Sequence, residues 1–138
     1  MTDVIGVSAC LLGYNCKYDG SNNFSQAVIA QLKGKRIIPF CPEVLGGLDT
    51  PRIPAELQPD GSVLNARGQD VSQCFQRGTL LTLEILKKHH CTAVLLKDGS
   101  PSCGYKTIHD GSFSNAKIEG MGVTARFLKE HGISILEL

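Results

Sequence analysis

The chain has 138 residues, 42% of them apolar, a size and composition suited to one compact domain with a single hydrophobic core. Fourteen Lys and Arg against thirteen Asp and Glu give a formal charge of +1, without a basic run that would track a phosphate backbone, and no apolar stretch nears the roughly 20 residues that span a bilayer. Nucleic acid and membrane partners are therefore not expected. A core this large does not need the six cysteines as a disulfide framework, so a reducing, cytoplasmic setting is the expectation.

The tetrapeptide Val7-Ser8-Ala9-Cys10 looks like a lipoprotein cleavage box, but the residues before Cys10 include no Lys or Arg and too short an apolar run for a signal segment. Val4, Ile5 and Val7 instead predict a buried strand over 4–8, with Cys10 just beyond it. A polar loop, 13–23, ends in Ser21-Asn22-Asn23, residues suited to capping a helix. Phe24, Val28 and Leu32 recur every fourth position and Gly34 supplies a stop, which predicts a helix over 24–32. Residues 36–40 predict the second strand, with Cys41 at its end. Pro42, Gly46, Gly47, Pro51 and Pro54 make the next segment irregular, and Pro59-Asp60-Gly61 marks a small hairpin at about 57–66.

Asp70 and Gln73 have capping-box spacing, and Val71, Cys74, Phe75, Leu81, Ile85 and Leu86 give the helix that follows an apolar face. Lys87, Lys88, His89 and His90 close it, potential cations near the negative end of the dipole. Residues 92–96 predict the third strand, a loop over 97–115 carries Cys103, a last helix is expected over 119–131, and 133–136 predict the fourth strand.

Strands alternating with helices imply right-handed crossovers. The predicted fold is a three-layer α/β domain spanning 1–138, with a mostly parallel four-stranded sheet, helices on both faces and a small β-hairpin insertion. Ligands in such sheets bind beyond the carboxyl ends of the strands. Cys10 and Cys41 end the first two strands and Cys103 lies in the loop leaving the third, so all three thiols meet at one sheet edge although 31 and 62 residues separate them.

A single cysteine after a strand is ordinarily a small buried residue; three at equivalent positions read as metal ligands. Gly13, Gly99 and Gly104 beside them would let backbone approach a bound object. Thiolates suit an iron–sulfur cluster and also an open zinc site, and the chain has neither a Cys-x-x-Cys knuckle nor a ferredoxin run, so spacing alone indicates metal without choosing between them. Cys16 is a ligand, a sulfur relay or a bystander, and Cys74 and Cys91 read as core. His109 and His131 have no motif around them.

At Ser8-Ala9-Cys10-Leu11-Leu12-Gly13, Lys17-Tyr18-Asp19-Gly20, Phe40-Cys41-Pro42-Glu43, Gly46-Gly47, Pro51-Arg52-Ile53-Pro54, Gly68-x-Asp70-Val71, Lys97-x-x-Ser100-Pro101-Ser102-Cys103-Gly104 and Gly122-Val123-Thr124-Ala125, the chain resembles a widespread bacterial family long labelled a domain of unknown function and similar to the thiouracil desulfidases. The resemblance runs over nearly the whole chain. It implies a [4Fe-4S] cluster held by Cys10, Cys41 and Cys103, the iron without a protein ligand accepting sulfur from a thiolated small molecule while water replaces it. By the same mapping Glu43 moves protons and Ser100 orients substrate or water, with Ser102 a weaker candidate. The bland alternatives are a helix-start carboxylate for Glu43 and turn chemistry for Ser100. Arg52 and Lys97 either bind an anionic group or pair with Asp19 or Glu56. The implied activity is hydrolytic desulfuration of a thiouracil-like compound. The competing readings are an iron–sulfur carrier or sensor, and a zinc hydrolase built on the same three cysteines.

Overall fold

A computed structural model describes residues 3–137. In chain order the elements are β1 (Val4–Ser8), α1 (Gln26–Gln31), β2 (Arg36–Phe40), α2 (Pro42–Leu45), β3 (Ala55–Leu57), β4 (Val63–Asn65), α3 (Ser72–Lys88), β5 (Ala93–Leu95), β6 (Thr107–His109), β7 (Lys117–Glu119), α4 (Val123–Glu130) and β8 (Ser134–Leu136). The four apolar runs expected as strands pair in parallel in the order β2-β1-β5-β8. Ile5, Val7 and Leu95 pack with Val28 and Leu32 of the α1 segment on one face. On the other, Phe40, Val94 and Leu96 meet Leu83 and Leu86 of α3 and Ala125 and Leu128 of α4. The three-layer α/β expectation holds. Among the described residues no helix is long and apolar enough to cross a membrane.

Several boundaries differ from the sequence reading, each for a local reason. Helix α1 starts at Gln26 because the Ser25 hydroxyl accepts the Val28 N–H at 3.3 Å and caps it. Phe24, expected on the apolar stripe, lies outside the helix and is 53% exposed, its N–H donated to the Asn22 side chain. Asp70 accepts from Ser72 N, but the residue preceding α3 is Val71, without a side-chain cap. The first hairpin is β3–β4, slightly earlier than the predicted 57–66. The long loop and the start of the last predicted helix contain a second antiparallel ribbon, β6–β7, so α4 begins only at Val123.

Two joints fix the site-bearing segments. Helix α4 has no side-chain cap; its first N–H groups are taken by carbonyls of the Cys103 loop, Val123 N donating to Pro101 O at 2.9 Å and Thr124 N and Ala125 N to Ser102 O at 3.0 Å each. The short α2 lies directly on α3, where a Cβ on Gly46 would fall 1.9 Å from Cys74 O and one on Gly78 1.8 Å from Pro42 O. Only glycine permits that approach. Cys74 is partly buried beside this contact, and Cys91 is buried in the core, its thiol donating to Ala93 O.

Candidate active site

Strand β1 lies between β2 and β5, and the chain leaves β1 for β2 but leaves β5 for β8, with crossover helices on opposite faces. The connections therefore diverge beyond the carboxyl ends of β1 and β5, where a crevice must open. A cavity of about 340 Å³ occupies it, lined by Cys10, Cys16, Cys41 and Cys103. The volume suits a small ligand.

Cys10 sits in a 3-10 turn, Ala9–Leu12, that ends at Gly13 in left-handed conformation. Cys41 occupies the cap position of α2, one residue before Pro42. The Cys16 thiol lies beside both: its hydrogen bonding lowers Cys10 to about 6 and Cys41 to about 7 against the opposing effect of burial, and its own thiol is pushed up by the same two neighbours. Cys103 is 5% exposed, and burial pushes its thiol up to about 12. Such a thiol ionises only beside a positive partner. Among the described residues no group of three or more His, Cys, Asp or Glu side chains is placed to hold a single metal ion, while all four of these cysteines line the cavity. Gly99 has φ +88 and needs to be glycine for its backbone, whereas a Cβ on Gly104 would strike the carbonyls of Thr107 and Ser100, so Gly104 serves closure of its own loop.

Glu43, in the first turn of α2, has both oxygens engaged. Arg52 Nε donates to Oε1 at 3.2 Å and Ser102 Oγ to Oε2 at 2.8 Å. The Glu43 and Arg52 side chains are only 14% and 8% exposed. Arg52 also donates from Nη2 to Cys16 O and from Nη1 to Asp49 O and Thr50 Oγ1. Arg52 is thus paired with Glu43, not with Asp19 or Glu56, the partners offered as the alternative to an anionic ligand, and most of its donors are committed within the protein. Ser100 Oγ accepts Cys103 N–H at 2.7 Å and lies 3.2 Å from Ser102 Oγ. Since the single Ser102 proton goes to Glu43, Ser100 is the donor in that contact, giving a directed line Ser100 to Ser102 to Glu43.

Lys97 N donates to Ser8 Oγ and its ammonium to the neighbouring Asp98 carbonyl, and among the described residues Lys97 pairs with neither Asp19 nor Glu56, the carboxylates that were one of its two alternatives. Asp98 ties the loop shut, accepting the N–H groups of Tyr105, Lys106 and Thr107. Burial opposes its ionisation, and the backbone donors, Lys106 first, outweigh that and hold the carboxyl at about 2. Lys17, Lys97 and Lys117 line the cavity, and none forms an ion pair among the described residues. All the expected site residues border this cavity. His109 and Lys117 border it too and were not anticipated; short alternating runs flanking the turn-rich segment 110–115 are the signal that would have revealed the ribbon carrying them.

Comparison with known proteins bears on the same region. A family model described as 2-thiouracil desulfurase matches residues 5–137. The chain is 39% identical over 142 aligned positions to the uncharacterized protein YbbK of Bacillus subtilis (strain 168), covering 96% of this chain and 94% of that one. It is also similar to the solved structure of the [4Fe-4S]-dependent thiouracil desulfidase TudS, with a TM-score of 0.89 and 41% identity over 99% of this chain and 90% of that one.

Proposed function

The chain belongs to the 2-thiouracil desulfurase family, and from that premise we propose that it is an iron–sulfur enzyme that replaces the sulfur of a thiouracil-like small molecule with oxygen from water. The observation that carries this reading is that Cys10, Cys41 and Cys103 open onto the same cavity as the Glu43–Arg52–Ser102 network.

The donor set fits a [4Fe-4S] cluster. It is all thiol, it borders a space larger than one ion needs, and the buried Cys103 requires a positive partner to ionise. Cys10, Cys41 and Cys103 would hold the group. When bound by three thiolates it supplies a Lewis-acidic iron open to the thiocarbonyl sulfur.

The remaining work falls to the chain itself. Glu43, accepting on both oxygens, is the group suited to take a proton from the attacking water. Arg52 holds that carboxylate against the cavity wall, and Ser102 keeps its second oxygen oriented. The Ser100–Ser102 line offers a path along which the proton returns to the departing sulfur. The sum is a thiocarbonyl and water giving a carbonyl and hydrogen sulfide, so no electron acceptor is needed.

The test is anaerobic reconstitution, with iron and acid-labile sulfide counted and sulfide release assayed on thiouracils and thionucleosides. Iron, labile sulfide and sulfide release together support the proposal. Zinc without labile sulfide would point to the hydrolase reading, and a loaded cluster with no turnover on any thiolated compound to the carrier reading.

A further inference from the structure

His109 borders the cavity, yet nothing in the reaction above uses it. It pairs in register with Lys117 across the β6–β7 ribbon, so the two share one ribbon face while Ile108 and Ile118 take the other. Both His109 and Lys117 line the cavity. The ribbon is anchored to the Cys103 loop by a bridge between Gly99 and Ile108, and His109 Nδ1 lies 3.2 Å from Gly99 O.

A carbonyl oxygen only accepts, so this contact places a proton on Nδ1. In the uncharged imidazole, Nε2 is then a lone-pair acceptor, and it has no hydrogen-bond partner among the described residues. The carboxylates on the same wall are already engaged: Glu43 by Arg52 and Ser102, Glu56 by the N–H groups of Gly111 and Phe113, and Asp98 by its own loop. A ring edge of fixed orientation with one unused acceptor is a feature that reads a donor on a ligand.

We propose that His109 is a specificity-determining residue whose Nε2 accepts a hydrogen bond from a ring N–H of the substrate. The preferred substrates are heterocyclic thioamides with a free N–H next to the thiocarbonyl, in preference to their N-alkylated forms. That such a ligand is turned over rests on the desulfidase reading; recognition of its N–H does not.

The experiment compares the loaded wild-type protein with His109→Ala and His109→Gln. The probes are 2-thiouracil and its 1-methyl and 3-methyl derivatives for turnover, and the corresponding uracils for calorimetric binding. Wild type is expected to disfavour at least one N-methyl compound by about tenfold, the scale of one hydrogen bond left unmade. Alanine should remove that penalty by weakening the unmethylated compound, and glutamine, which keeps an acceptor, should restore part of it. An unchanged penalty in the alanine variant, or none in wild type, overturns the assignment, as does a glutamine variant no better than alanine. Absence of sulfide release in wild type would instead defeat the desulfidase reading, and binding of the oxygen analogues would still decide the role of His109.

Discussion

Glu43 receives hydrogen bonds from residues 9 and 59 positions away, and those partners define what it can do. Glu43→Gln keeps the shape and removes the acceptor charge, so the variant should retain its iron and labile sulfide while turnover falls by about 100-fold or more, the usual scale for losing a positioned acid–base group. Retained activity would remove Glu43 from the chemistry. Arg52→Lys keeps the charge but loses the planar fork that reaches Glu43 and Cys16 O together. The expected result is a kcat lower by about tenfold with a smaller change in KM, measured by steady-state sulfide release. Alanine at Cys10, Cys41 or Cys103 should each lower iron and labile sulfide after reconstitution. Unchanged cluster content in all three would show the ligand set to be wrong.

Among the elements, the α2–α3 joint is the most exacting. Helix α2 has four residues and carries Glu43, with Cys41 at its cap, and its position depends on backbone contact at Gly46 and Gly78. Gly78→Ala places a methyl group where Pro42 O stands, so the two helices must part, at a cost on the order of 2 kcal/mol or more. Urea unfolding should show the destabilisation, and iron content should fall with it because Cys41 moves with α2. A second joint is the buried Thr79–Thr124 hydroxyl pair, 2.7 Å apart between α3 and α4. Thr124→Val leaves one buried hydroxyl without its partner, for about 1–2 kcal/mol, whereas Thr79→Val with Thr124→Val should cost less than the sum of the single changes. A double-mutant cycle measures the difference. At this scale the central strands were readable because each is an apolar run bounded by turn residues. Helix α2 and the β6–β7 ribbon were not read: four residues hold barely one helical turn, and a three-residue strand shows a single alternation that only the turn-rich segment 110–115 between the two runs marks as a ribbon.

For the molecule as a whole, acid stability follows from the loop that Asp98 closes. Its carboxyl is held at about 2, below the ordinary 3.8, so its contribution is fully present above about pH 4 and is lost as the pH falls toward 2. The side chain is partly open to solvent, so the contribution is on the order of 1 kcal/mol after allowance for screening. Wild type should be more stable than Asp98→Asn in urea at pH 6, and the gap should close as the pH drops to 2; a gap that does not change with pH would sink the argument. The sequence by itself determined the layer order and the sheet edge at which Cys10, Cys41 and Cys103 lie, because burial leaves a periodic trace in the chain and handed crossovers leave few topologies. Only the tertiary structure decided that Arg52 faces Glu43 and not Glu56, that Ser102 links Ser100 to the carboxylate, that Cys16 stands between two of the three thiols, and that His109 turns one nitrogen to Gly99. These are pairings between side chains from separate loops, set by distances of a few ångströms, and no local pattern of apolar and polar residues records them.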